Sequence, residues 1–323
     1  MRPFTFAQAA TVNEAVAGGG AGSAYLAGGT TLIDLMKLEV LTPGRVVDIN
    51  RLPLHGVQLE KSGLRIGALE RMATVATDRR VVGEYPAVAQ ALLASASPQI
   101  RTMASIGGNL LQRTRCGYYR DTETPCNRRE PGSGCPAIDG ENRTHAVLGT
   151  SDQCVATHPS DLAVALVAFD ANVEVTSRDG SRTVPLADLY RLPGDTPQVE
   201  TDLRPGELIT GVTLPRVAAA RRSAYLKVRD RRSYEFALAS AAVGVHLRGG
   251  VIQQARVAVG GVATRPWRLP AVERALIGRP LREDVVTAAA AHAADGARPL
   301  AHNRFKVALI RRTVVRALLS LGE

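Results

Sequence analysis

All four cysteines of this 323-residue chain fall in one stretch, at Cys116, Cys126, Cys135 and Cys154. The segment that carries them is rich in Gly, Pro, Arg and Asp and poor in apolar residues, and it follows the Gly-rich run ASIGGNLL. Such a segment has little apolar surface to bury, so it needs an anchor to stay folded. Four thiolates suit a closed tetrahedral centre, either zinc or an iron–sulfur cluster. The spacing C-x9-C-x8-C-x18-C is too wide for a CxxC knuckle. An iron–sulfur cluster is the favoured reading, with zinc, disulfides and unrelated thiols as alternatives, and spacing alone does not separate the first two.

The chain is 45% hydrophobic but only 4% aromatic, so its core must be built from Ala, Val and Leu. Its length allows two or three domains. The formal charge is +10, carried almost wholly by arginine, since the lysines are only Lys37, Lys61, Lys227 and Lys306. A basic surface attracts nucleic acid, anionic cofactors or acidic partners. Nothing here has the pattern of a zinc finger, an RNP aromatic pair or a base-reading helix, so nucleic acid is not an expected partner. The N-terminus MRPFTFAQAATVNEAVAGGG lacks both a charged segment leading into an apolar core and a twin-arginine pattern. No apolar run is long enough to cross a bilayer. A chain without its own export signal is the expectation, and thiols in a chain made in the cytosol favour a metal centre over disulfides.

Along the chain, AYLAGGTTLIDLMKLE reads strand, Gly-rich turn, helix, with Thr30 or Thr31 as the helix cap. VVDIN (46–50) and LRIGA (64–68) read as strands and YPAVAQALLASA as a helix. DLAVALVAFDANVEVTSRDGSRTVPLADL reads helix, strand, turn, strand, and ELITGVTLP (207–215) is a further strand. A boundary is expected near Pro215–Arg216. Beyond it, AYLKVRDRRSYEFALASAAVGVHL and QARVAVGGV read as antiparallel strands with one helix. Two amphipathic helices, about 282–295 and 302–320, close the chain, the second with Phe305, Leu309, Val315 and Leu319 toward the core.

Two Gly-rich segments carry binding chemistry. LAGGTTL (26–32) matches neither GxGxxG nor a P-loop. Its glycines let the backbone approach a ligand, and its successive N–H groups at a helix start can hold a pyrophosphate. SIGGN (105–109) repeats the offer, with Asn109 able to bond a ligand or fix the turn. Either alone is satisfied by a plain turn. Two of them, one beside four cysteines, point to a pyrophosphate-bearing redox cofactor next to a cluster.

The ordered set LAGGTTLIDLMK, VVDINRLP, LRIGA, ASIGGNLLQ, HPSDLAVAL, LRPGELIT, AYLKVRDRRSYEFALASAAV and VAVGGVATRPWR resembles the FAD-binding subunit of the molybdenum hydroxylases, the family of xanthine dehydrogenase and carbon monoxide dehydrogenase. The cysteine segment is similar to that of the [4Fe-4S]-containing flavin subunits of periplasmic aldehyde oxidoreductases. The resemblance implies an α+β fold: a two-part FAD-binding domain of the vanillyl-alcohol-oxidase/CO dehydrogenase flavoprotein type, then a C-terminal antiparallel sheet with helices. The expected limits are 1–216 (parts 1–55 and 56–216, cysteine insertion 112–156) and 217–323. It implies that Leu26, Ala27, Gly28, Gly29, Thr30, Thr31 and Leu32 form the first FAD loop and that Ser105, Gly108 and Asn109 form the second. It implies flavin contacts from Asp161, Leu203 and Lys227, and cluster ligation by Cys116, Cys126, Cys135 and Cys154. His145 and His158 flank Cys154 and are expected to support the centre rather than ligate it; Tyr118 and Tyr119 either shield it or are local packing.

Further expectations follow from the resemblance. The cofactors are FAD and one [4Fe-4S] cluster. The partners are a large molybdenum cofactor subunit, a small subunit with two [2Fe-2S] clusters and an external electron acceptor. No residue of this chain is expected to be catalytic, because aldehyde oxidation belongs to the large subunit. The expected location is periplasmic, as the passenger of a signal-bearing partner, with the cytoplasm as the alternative.

Overall fold

The computed structural model describes residues 1–322 and contains three sheets. The first comprises β1 (Thr5–Gln8), β2 (Ser23–Leu26) and β3 (Arg45–Asp48), all parallel in the order β1-β3-β2. β2 ends where the Gly28–Gly29 turn begins, and Gly29 takes a φ of 72°, in the region where a side chain is strained. The turn is followed by the helix Leu32–Lys37.

The second sheet holds β4 (Val57–Leu59), β5 (Gly63–Gly67), β6 (Asn172–Ser177), β7 (Gly180–Pro185) and β8 (Leu208–Pro215). Its order is β4-β5-β8-β6-β7, and every pairing is antiparallel. The third sheet holds β9 (Ser223–Val228), β10 (Ala239–Arg248), β11 (Val251–Gly260) and β12 (Trp267–Arg268), ordered β12-β11-β10-β9 and also antiparallel.

Between the second and third sheets lies the helix Asp161–Ala168, and every one of its residues is buried. A helix apolar all round has no face to show solvent and must sit inside a core. This one shares a cluster with Val173 and Val212 of the second sheet and with Ala242 and Ala258 of the third. Its close seat on β11 requires Gly260, where a Cβ would run into Val164.

Two expectations need correction in the C-terminal part. AYLKVRDRRSYEFALASAAVGVHL and QARVAVGGV supply β9, β10 and β11 and not the one helix expected among them, because the Ala and Val positions of β10 pair with β9 and β11 and are buried on both faces. The last helix, Phe305–Leu319, buries Lys306, Ile310, Thr313, Val314, Ala317 and Leu318. Phe305 is exposed, and Leu309, Val315 and Leu319 only flank the core. The stripe was displaced because Lys306 counts as polar in a periodicity argument, yet it is fully buried. Its Nζ donates to Thr144 O at 2.8 Å and Gly261 O at 2.7 Å, and burial pulls its pKa down to about 7. Among the described residues no helix is long and apolar enough to cross a membrane.

The segment 112–156 is largely irregular, with one short helix, Gly117–Arg120. It is nevertheless tied in by its own side chains. Asn127 donates to Gln153 O and Oε1 and accepts from the N–H groups of Gly132 and Gly134. Arg129 donates to the carbonyls of Tyr118, Tyr119 and Thr124. The C-terminal domain holds the far end, through Val147 N–H to Val262 O at 2.8 Å and through Lys306.

Candidate cofactor sites

A cleft of ≈ 460 Å³ opens between the helix Leu32–Lys37, the SIGGN turn and β9. Of the residues singled out from the sequence, Thr30, Thr31, Gly108, Asn109, Asp161 and Lys227 line it. Leu26, Ala27, Gly28, Gly29, Leu32 and Ser105 do not. Leu203 lines a second cavity of ≈ 280 Å³, which shares Gln112 and Pro159 with the first.

The first loop is held open by polar ties. Asn50 Nδ2 donates to Leu26 O at 3.3 Å and Ala27 O at 2.9 Å. Arg71 in turn donates to Asn50 Oδ1 at 3.0 Å and to Met103 O at 2.6 Å. Thr31 stands at the helix start but caps it with no side-chain hydrogen bond, contrary to the capping role expected of it. Thr30 and Thr31 both line the cleft, where their hydroxyls are available to a phosphate.

The second loop differs. Ser105 is buried and its Oγ accepts from Gly108 N–H at 3.2 Å, capping the helix Ile106–Leu110. The N–H groups of Ile106, Gly107 and Asn109 donate to Glu70 O, Ala68 O and Ser105 O. The main-chain donors of Ile106, Gly107, Gly108 and Asn109 are therefore engaged within the chain. What remains for a ligand is the smooth surface of Gly108 and the side chain of Asn109, which accepts from Ser160 Oγ at 2.6 Å.

Gly28 is needed for a reason other than approach to a ligand. A Cβ there would overlap Met103 O, whereas at Gly108 it would meet only Ser105 Oγ. Gly28→Ala is therefore expected to destabilise the chain by about 3 kcal/mol, the upper range for overpacking, while Gly108→Ala costs less than about 1 kcal/mol. Denaturant titration of both variants checks this; equal losses would show that the close approach of residues 28 and 103 is not what demands glycine.

Lys227 and Asp161 form a buried ion pair at 2.8 Å, with side chains only 3% and 6% exposed. The Asp161 carboxylate also accepts from Tyr225 Oη at 2.6 Å and Ser95 Oγ at 3.1 Å. Ser160, not Asp161, caps the helix that Asp161 begins. The pair links the N-terminal domain to β9 across the floor of the cleft.

Asp34, Arg115 and Phe236 were not foreseen from the sequence, yet they form the opposite wall. Asp34 accepts from Arg115 and Arg120, and Arg120 first among its neighbours holds the carboxyl below its usual range. Arg115 lies 5.2 Å over the Phe236 ring, and its Nε is buried without a partner. A cleft with free threonine hydroxyls and an orphaned guanidinium N–H has the donors that a phosphate-bearing ligand needs. The residues fit FAD on those grounds.

All four thiols converge on a separate cavity, lined also by Tyr118, Tyr119 and His145. None is in a disulfide. Among the described residues no three His, Cys, Asp or Glu side chains stand close enough to grip one metal ion. Burial pushes the Cys116 thiol up to about 12 and raises Cys135 as well. Main-chain N–H groups of Tyr119 and Tyr118 near Cys116, and of Val155 and Ala137 near Cys135, act the other way and offset part of the rise. Arg128 Nη2 lies 3.5 Å from Cys154 Sγ, and Arg128 is paired with Glu200 at 2.7 Å.

His145 Nε2 lies 3.2 Å from Cys116 Sγ. Burial pulls its pKa down to about 4, so it is neutral at pH 7. His158 does not line the four-thiol cavity; it stands edge-on to Tyr190 at 4.5 Å, and burial pulls it to about 3.

The comparisons agree with this geometry. Residues 1–217 match the FAD binding domain in molybdopterin dehydrogenase, and residues 224–321 match the CO dehydrogenase flavoprotein C-terminal domain. The chain is 46% identical to the aldehyde oxidoreductase FAD-binding subunit PaoB of Escherichia coli, over 98% of each chain. It is 30% identical to the glyceraldehyde dehydrogenase medium chain of Sulfolobus acidocaldarius, over 98% of this chain and 95% of the relative. Among solved structures, carbon monoxide dehydrogenase from Hydrogenophaga pseudoflava superposes with a TM-score of 0.77 at 26% identity, over 99% of this chain and 98% of that one. With residues 1–217 and 224–321 each matched by a domain model and a relative at 46% identity over 98% of the chain, the chain belongs to the FAD-binding subunits of the molybdenum hydroxylase family of oxidoreductases.

Proposed function

We propose that this chain is the flavin subunit of a molybdenum-dependent aldehyde oxidoreductase and that it carries a [4Fe-4S] cluster on Cys116, Cys126, Cys135 and Cys154 beside its FAD. The observation that carries the reading is the convergence of four unpaired thiols on one cavity, with Arg128 Nη2 3.5 Å from Cys154 Sγ and His145 Nε2 3.2 Å from Cys116 Sγ. The likeness to an aldehyde oxidoreductase subunit supports the substrate class.

When bound, FAD and the cluster supply electron transfer, the flavin passing between one- and two-electron chemistry. The chain's own residues do the holding. Thr30, Thr31 and Arg115 are placed for the pyrophosphate, with Gly108 and Asn109 on the adjoining wall. Asp161 and Lys227 fix the floor, and Leu203 offers an apolar surface in the adjoining cavity. His158 lines the ≈ 280 Å³ cavity and burial pulls its pKa to about 3, while Asp161 is held in its ion pair with Lys227. Substrate oxidation falls to a large molybdenum cofactor subunit, reached through a small subunit with two [2Fe-2S] clusters. The complex delivers electrons to an external acceptor and resides in the periplasm, this chain crossing as the passenger of a signal-bearing partner.

Purification of the native complex tests the reading. This chain, separated from its partners, is expected to retain FAD together with iron and acid-labile sulfide in equal amounts. The isolated chain is expected to oxidise no aldehyde with artificial acceptors. Zinc in place of iron, or aldehyde turnover by the chain alone, overturns it. Fractionation of cells whose large subunit lacks its signal is expected to leave this chain in the cytoplasm.

A further inference from the structure

The Asp34 carboxylate stands between the two centres. It lies on the helix Leu32–Lys37, directly after the Thr30–Thr31 turn that lines the cleft. Its Oδ2 accepts from Arg115 Nη1 at 3.0 Å and Arg120 Nη1 at 2.8 Å, and its Oδ1 accepts from Arg120 Nη2 at 3.0 Å. Arg115 immediately precedes Cys116, and Arg120 ends the short helix that follows it.

The packing below the ion bridge runs the same way. Leu35 belongs to one apolar cluster with Val40, Tyr119 and Cys126, and Cys116 packs against it. The core of the first sheet, around Val47, Ile49 and Leu52, is a separate cluster. The helix behind the threonine turn therefore rests on the cysteine segment rather than on the sheet that precedes it. Whatever fixes Cys116 and Cys126 also fixes Asp34 and Leu35.

We propose that Asp34 is a positioning residue that couples the two cofactor sites, so that FAD binds more tightly when the cysteine site is filled. This rests on the cysteine assignment proposed above. A cluster on the four thiols holds Arg115 and Arg120 in place, and these hold the helix start through Asp34. Without it, the segment loosens and the threonine turn loses its support. By linkage the effect is reciprocal, and two half-exposed ion pairs acting together correspond to roughly a tenfold change in affinity.

The test uses the full chain, purified anaerobically and depleted of FAD by mild chaotrope. FAD affinity is read from the quenching of flavin fluorescence on binding. Four samples are compared: wild type and Asp34→Asn, each with the cluster and after its removal by ferricyanide and chelator. Removal is expected to weaken FAD binding roughly tenfold in wild type and less than about threefold in Asp34→Asn. The cluster-bearing variant should bind FAD about as weakly as the stripped wild type. Arg120→Gln, which breaks the two-pronged contact from the other side, should behave alike and keeps the test decisive should Asp34→Asn prove insoluble. Iron-loaded wild type whose FAD affinity is unchanged by stripping, or an equal loss in wild type and both variants, overturns the coupling and leaves the cysteine assignment standing. Iron-free wild type overturns the assignment and the coupling with it.

Discussion

Replacing Cys126 by serine is expected to strip the iron from the purified chain and to lower its soluble yield several-fold. Cys126 is one of the two buried cysteines, and it packs with Leu35 and Tyr119 under the helix that leads from the first cofactor loop. A serine hydroxyl is a poor ligand for iron, and in this apolar setting it has no sulfur-like packing to offer. The free energy of binding a metal centre is part of the folding free energy of the segment around it. The polar ties of Asn127 and Arg129 would hold parts of the segment but leave the four-thiol cavity without its content. A loss of even 1–2 kcal/mol is enough to change abundance several-fold in cells. The measurement is iron and labile sulfide per chain against soluble yield. Full iron content in the Cys126→Ser protein would remove this cysteine from the ligand set.

Lys227→Met is expected to lower the unfolding free energy by about 3–5 kcal/mol and to empty the cleft of FAD. The change leaves the Asp161 carboxylate buried with two hydroxyl donors but no cation. Breaking one side of a buried pair costs much more than deleting both, because the surviving charge is stranded. Asp161→Asn combined with Lys227→Met should therefore recover most of the loss, which a double-mutant cycle on denaturant midpoints measures. A single-mutant loss below about 1 kcal/mol would show that the pair is not what ties β9 to the helix behind the cleft.

Much of the fold could be read along the chain because its signals are local. Gly28–Gly29 after an apolar run, Pro86 opening an alanine-rich helix and the unbroken run DLAVALVA each announce their structure within a few residues. The four thiols and the threonine turn were legible for the same reason: unusual residue types crowded into short spans. Where the local signal was ambiguous, the reading went astray. SYEFALASAAV has alanines that suit either state, and pairing with strands on both sides decided for β10. Lys306 broke the stripe of the last helix because a side chain's partners, here the carbonyls of Thr144 and Gly261, are invisible to a periodicity count.

By itself, the sequence determined that this chain would fold as a flavin subunit, with glycine turns where a Cβ is excluded and four thiols in one polar segment. Those are properties of residue type and order. Only the tertiary structure decided which of these residues face a common space. It turned Ser105 inward to cap its own helix, left Thr31 uncapped, and sent Leu203 to the neighbouring cavity. It also set Asp34 against Arg115 and Arg120, partners 81 and 86 positions away in the chain. Contacts at that separation depend on how helix and loop dock in three dimensions, and no short-range pattern encodes them.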